Sequence, residues 1–207
     1  MREINATTFL KDISNHGMTV RLDNGLYRHL VFRTPAPNSW NMWFELVTWA
    51  GSLIINGDMG TWSFARVEDM FTFFRSAELR INAQYWAEKI TAESRFGGPH
   101  KQFIPEVFKA NVISSLDGYG LSAQHQEEVV KALRDDAFHD EDEAYMRRAV
   151  AEFKHEGFKF SDSWEIDGSG YTGHYLWCLH AIVWGIQQYD SANAKPVPAE
   201  IPAGGKT

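Results

Sequence analysis

The spacing of apolar residues changes period near residue 66, and that change divides the chain into a sheet-forming part and a helix-forming part. Met18 to Leu22 and Leu26 to Arg33 read as two strands around Asp23-Asn24-Gly25. Asn-Gly tolerates the positive φ of a tight turn, so these strands form a β-hairpin. Pro35, Pro37, Asn38 and Ser39 then break the chain into a loop. Trp43 to Trp49 and Ser52 to Asn56 are the next strands, with Gly51 permitting a sharp turn. A fifth strand, Thr61 to Ala65, follows the turn Asn56-Gly57-Asp58-Met59-Gly60. Short strands joined by short turns imply an antiparallel meander.

From Val67 the spacing is helical: Val67, Met70, Phe71 and Phe74 share one face at i, i+3, i+4, i+7. A short helix is also expected over residues 6–14. Asn82 to Ala92 reads as a helix with Tyr85, Trp86 and Ile90 inward. Pro105 suits the first turn of a helix reaching about Leu116, and Ser122 suits the N-cap of one carrying Val129, Val130 and Leu133. Asp140 with Glu143 resembles a capping box for a helix ending near Gly157, within which Glu143 and Arg147 form an i, i+4 pair. Thr172 to about Tyr189 is apolar all round, which predicts a helix through the core of the helical half. The expected fold is α+β: an N-terminal antiparallel sheet of four to five strands (about 18–65) covered by helices (about 67–190), in one domain over 1–192. The tail 193–207, rich in Ala, Pro and Gly, is expected to be disordered.

Composition narrows the function classes. Aromatics are 14% of the chain, with eight Trp and fourteen Phe, enough for a large core and for an interface besides. Asp plus Glu number 27 against 20 Lys plus Arg, which argues against nucleic acid as a partner, since phosphates call for a basic stripe. One cysteine, Cys178, excludes an intrachain disulfide and a multi-cysteine zinc site. The longest apolar stretch, Tyr175 to Ile186, contains His180 and falls short of the roughly 20 residues a bilayer needs. No apolar signal core follows Arg2 and Glu3, so a cytoplasmic location is expected and a membrane partner is not.

Candidate chemistry is sparse. The run His139 to Glu143 has ligand-type side chains, but its spacing fits neither a calcium loop nor a two-histidine helical motif; it suits a helix N-terminus. His174 and Cys178, four apart, offer a metal two ligands and lack a second pair. Gly97-Gly98 lacks the context of a phosphate loop. No catalytic residue, metal set or cofactor is assigned. Two surfaces remain. Trp40, Trp43, Trp49 and Trp62 concentrate in and beside the sheet, and any that are exposed mark a partner surface. Arg28, His29, Asp58 and Arg66 form an alternative polar site for a small-molecule or nucleotide-directed enzyme if the fold brings them together; Arg28, Arg33 and Arg66 either converge on an anion at the sheet edge or are solvated strand ends.

Three blocks resemble a family of prophage and tailed-phage proteins. They are Asp23-Asn24-Gly25-Leu26-Tyr27-Arg28-His29-Leu30; Gly57-Asp58-Met59-Gly60-Thr61 with Phe64, Arg66, Asp69-Met70-Phe71 and Phe73-Phe74-Arg75; and Tyr175-Leu176-Trp177-Cys178 with Ala181-Ile182-Val183-Trp184-Gly185-Ile186 and Tyr189-Asp190. The resemblance implies an accessory phage gene product acting inside a bacterial cell and assigns no catalytic residue. It makes a host or defence-system protein the expected partner, with inhibition of that protein as the expected effect.

Overall fold

The computed structural model describes residues 3–36 and 39–194. Residues 37 and 38 of the expected loop, and 195–207 of the expected tail, lie outside the described residues. Within the span read as one domain, the chain groups into two compact units. One runs to Pro99 and resumes at Gly173; the other is His100–Thr172.

The first unit opens with α1 (Ala6–Asp12), whose N-cap Asn5 and Thr8 exchange the two bonds of a capping box. A meander follows: β1 (Gly17–Asn24), β2 (Tyr27–Arg33), β3 (Phe44–Trp49), β4 (Ser52–Gly57) and β5 (Gly60–Ala65). The first hairpin turns on Gly25-Leu26, one position beyond Asn24-Gly25. Gly25 takes φ +64° while Leu26 stays out of the left-handed region, which places glycine first, as a type II′ turn requires. Next come α2 (Met70–Phe74), capped by Asp69, and α3 (Ala83–Ala87), capped by Asn82. Because Asp69 starts α2, Val67 falls outside the helix and is exposed, while Met70, Phe71 and Phe74 are buried as their spacing predicts.

The helix expected over Asn82 to Ala92 is corrected. After α3 the chain becomes β6 (Ile90–Glu93), which pairs antiparallel with β5. The free edge of β5 offers a hydrogen-bond ladder, and β-branched Ile90 and Thr91 suit a strand better than a helix end. The sheet therefore has six antiparallel strands in the order β1-β2-β3-β4-β5-β6.

The second unit is mainly helical. Its elements are β7 (Lys101–Phe103), α4 (Pro105–Ser115), α5 (Ala123–Asp136), α6 (Glu143–Glu152), β8 (Lys154–His155), β9 (Phe158–Lys159) and β10 (Ser169–Tyr171). The Ser122 hydroxyl caps α5 at His125 N–H, as expected. At α6 the cap is Asp142, bonded to Tyr145 N–H, while Asp140 accepts from Asp142 N–H. That helix stops at Glu152, short of Gly157, because Phe153 is extended and the β8–β9 hairpin turns at Glu156 and Gly157 with positive φ. Phe108, Val112, Leu133, Met146 and Val150 form its fully buried centre.

The last helix, α7 (Gly173–Asn193), returns to the first unit. Its apolar circumference predicts burial in the helical half; instead it lies on the sheet. Trp184 packs edge-on against Phe32 and Phe44, and Trp177 against Phe9 and Phe44. Gly185 makes the approach possible: a Cβ there would sit 2.8 Å from Leu46 Cδ1 and 3.1 Å from Phe32 Cζ. Each large apolar side chain buried in this contact contributes roughly 1.5–3 kcal/mol. Among the described residues no helix is long and apolar enough to cross a membrane.

Candidate functional site

Strand alternation divides the sheet into two unlike faces. Arg28, Leu30 and Phe32 on β2 align with Thr48, Leu46 and Phe44 on β3; Leu53 and Ile55 on β4 and Phe64 and Trp62 on β5 extend the same rows. This inner face carries α7 and is closed: Leu30, Phe32, Leu46, Ile55, Trp62 and Phe64 are all 0% exposed.

The opposite, outer face is partly exposed across its width. One row is Leu22, His29, Val47, Ile54 and Ser63; the next is Thr19, Val31, Glu45, Asn56 and Thr61. Within them the polar groups bond across four strands. His29 Nε2 lies 2.8 Å from Glu45 Oε2, Asn56 Nδ2 donates to Glu45 Oε1 at 2.9 Å, and Thr61 Oγ1 donates to Asn56 Oδ1 at 2.7 Å. Such a ladder fixes each rotamer, so this surface is ordered before anything touches it. Its apolar members Val31, Val47 and Ile54 stay only partly buried.

Aromatic residues stand at both ends of this face. At one end Tyr27 and Trp49 are 54% and 38% exposed. At the other, beyond the start of β3, Trp40 is 55% exposed and packs edge-on against half-buried Trp43 with ring centroids 5.3 Å apart. The Arg33 guanidinium lies over the Trp40 ring, 5.5 Å from its centroid. Trp43 and Trp49 are six residues apart, about 20 Å along an extended strand.

Met42 anchors that second end. It is not glycine, yet φ is +57°. Its N–H donates to Asp58 Oδ2 at 2.8 Å, and His16 Nε2 donates to its carbonyl at 3.0 Å. Asp58 N–H in turn donates to the Trp43 carbonyl at 3.0 Å. Burial pulls the His16 pKa below its ordinary value, outweighing the Met42 carbonyl and Asp12, which act to raise it. The imidazole is therefore neutral near pH 7, with the proton on Nε2 and Nδ1 buried without a partner.

The candidate tryptophans do not form one patch. Trp40 and Trp43 meet, Trp49 stands at the far end of the outer face, and Trp62 lies in the core beside Tyr175. The polar set is dispersed too. Arg28 is on the inner face, in a bidentate pair with Asp69 at 2.9 and 3.1 Å. His29 belongs to the outer ladder, and Arg66 is exposed beyond the end of β5. Asp58 lies in the β4–β5 turn beside the Phe32–Phe44–Gly57 row, four residues along β2 from Arg28, about 13 Å. Nor do Arg28, Arg33 and Arg66 converge on an anion: Arg28 faces Asp69, and Arg33 faces Trp40.

A carboxylate-oriented imidazole is how a general base is held, but His29 stands on an open face rather than in a concavity of converging polar groups. Clefts occur elsewhere: one of about 600 Å³ runs along α5 from Ala123 to Asp135. Among the described residues no group of three or more His, Cys, Asp and Glu is placed to hold a metal ion. His174 is exposed and bonded to the Gly97 carbonyl, while Cys178, one turn further along α7, is buried. Burial pushes the Cys178 thiol well above its ordinary pKa, which makes it unreactive in the folded protein.

Sequence reading missed Tyr27, Glu45 and Asn56 as surface residues. Alternation was a signal for them once the register of β2, β3 and β4 is known. Comparison with protein-family models, curated proteins and solved structures finds no match to this chain.

Proposed function

We propose that this protein is a phage-encoded accessory factor that acts in the bacterial cytoplasm by binding a host or defence-system protein and inhibiting it. The observation that carries the binding reading is the outer sheet face, where a fixed polar ladder runs between exposed Tyr27–Trp49 and Arg33–Trp40–Trp43. Trp, Tyr and Arg are the residue types that dominate binding energy at interfaces. Their rigid placement lowers the ordering cost of association. The phage context rests on the resemblance of the three sequence blocks.

The test is capture from a bacterial lysate with tagged full-length protein, alongside Trp40→Ala and Trp49→Ala. A partner retained by the wild-type chain and bound at least about 10-fold more weakly by either variant is the expected result. A lysate that yields no specific partner, or one held equally by all three proteins, contradicts the reading.

A further inference from the structure

We propose that the Arg33–Trp40–Trp43 corner is a preformed receptor for a peptide segment in which a carboxylate side chain lies beside an apolar one, and that Asp58 and His16 are its positioning residues. This rests on the protein-binding reading and names the partner's chemistry.

The preformed geometry follows from Met42. A non-glycine residue at positive φ costs roughly 1–3 kcal/mol and persists only where its surroundings over-determine it. Here both backbone groups are clamped, the N–H by Asp58 and the carbonyl by His16. The neighbouring Trp43 carbonyl is tied to Asp58 N–H, and a side chain on Gly57 would collide with that same carbonyl. Met42 and Trp43 are thus bolted to the β4–β5 turn, and Trp40 packs on a fixed ring.

The chemistry follows from Arg33. Among the described residues its guanidinium makes no ion pair or hydrogen bond, and it lies over the Trp40 ring. A guanidinium held over an indole without a hydrogen bond of its own has its N–H fork free, and that fork matches a carboxylate in two parallel bonds. Beside it, exposed Trp40 offers an apolar surface with little conformational freedom to lose. A cation is poorly matched, because Arg33 already stands where it would approach the ring.

The test selects phage-displayed random dodecapeptides on immobilised full-length protein, then measures fluorescein-labelled winners by anisotropy. The expected winners carry Asp or Glu next to Pro, Leu or an aromatic residue. Arg33→Gln and Trp40→Ala, both at exposed positions, weaken them at least about 10-fold. Amidating the peptide carboxylate costs the wild-type protein as much as Arg33→Gln does, and costs the Arg33→Gln protein nothing further. Asp58→Ala weakens binding in the wild-type background but not on top of Trp40→Ala, a coupling that mere loss of stability does not produce.

No enrichment, enrichment of basic peptides, binding that ignores Arg33 and Trp40, or tighter binding of labelled oligo-dT than of any peptide overturns the proposal. Lysate capture that depends on Trp49 but not on Arg33 or Trp40 removes the corner and leaves the broader reading standing. Acidic winners that depend on the corner, with an empty lysate capture, establish the corner and remove the broader reading.

Discussion

Trp62→Ala is expected to lower the unfolding free energy by about 3–5 kcal/mol, the usual cost of truncating a fully buried Trp. Trp40→Ala should change it by no more than about 0.5 kcal/mol. The two residues look alike in sequence and differ in place: Trp62 is 0% exposed and packs beside Tyr175, with centroids 5.9 Å apart, while Trp40 is 55% exposed. Trp62→Phe should cost less than Trp62→Ala. It keeps a ring in the site and removes an indole N–H that is buried without a partner. Urea unfolding followed by circular dichroism measures all three. A Trp62→Ala protein as stable as the wild type would mean that the inner face is not the core.

Arg28→Ala is expected to destabilise the protein by about 2–3 kcal/mol at pH 7. That is at or just under the lower end for breaking a buried ion pair, because the Asp69 side chain is 30% exposed. Arg28 joins three elements. It pairs with Asp69, which caps α2 through Phe71 N–H, and its guanidinium lies over Phe71 at 4.5 Å and Tyr189 at 5.6 Å. Tyr189 also donates its hydroxyl proton to Asp23 on β1.

The ion-pair part of this effect depends on pH. Burial acts to raise the Asp69 carboxyl, but the Arg28 guanidinium and Phe71 N–H outweigh it and hold the pKa below the ordinary value. A depressed carboxyl contributes stability that is full above its unfolded pKa, near 4, and is lost as pH falls through the folded value. The difference between wild type and Arg28→Ala in urea unfolding should therefore be largest at pH 7 and shrink on acidification to about pH 2.5. A difference constant over that range would assign the whole effect to packing on Phe71 and Tyr189.

The local parts of the fold were legible in the sequence. The hairpin around Gly25, the alternation of β3 to β5, the Ser122 cap and the buried set Met70, Phe71 and Phe74 each depend on neighbours a few residues away. What was not legible depends on distant partners. Ile90 to Glu93 became a strand because β5 had a free edge, and α7 left the helical half because Gly185 fits against Phe32 and Leu46. The site divides in the same way. The tryptophan surplus was visible, but which side of the sheet each residue takes is set only by register, which put Trp62 inside and Trp49 outside. The partner of Arg28 stands 41 residues away, and the clamp on Met42 joins residues 16, 42 and 58. No spacing rule connects such positions.

The central claim is that a partner covers the outer face of the sheet, and hydroxyl-radical footprinting of the captured complex tests it most directly. Trp164, in the other unit and 72% exposed, is the internal control. The account predicts that partner binding lowers the oxidation of Tyr27, Trp40 and Trp49 and leaves Trp164 unchanged. Protection of Trp164 with Tyr27, Trp40 and Trp49 still fully reactive would contradict it.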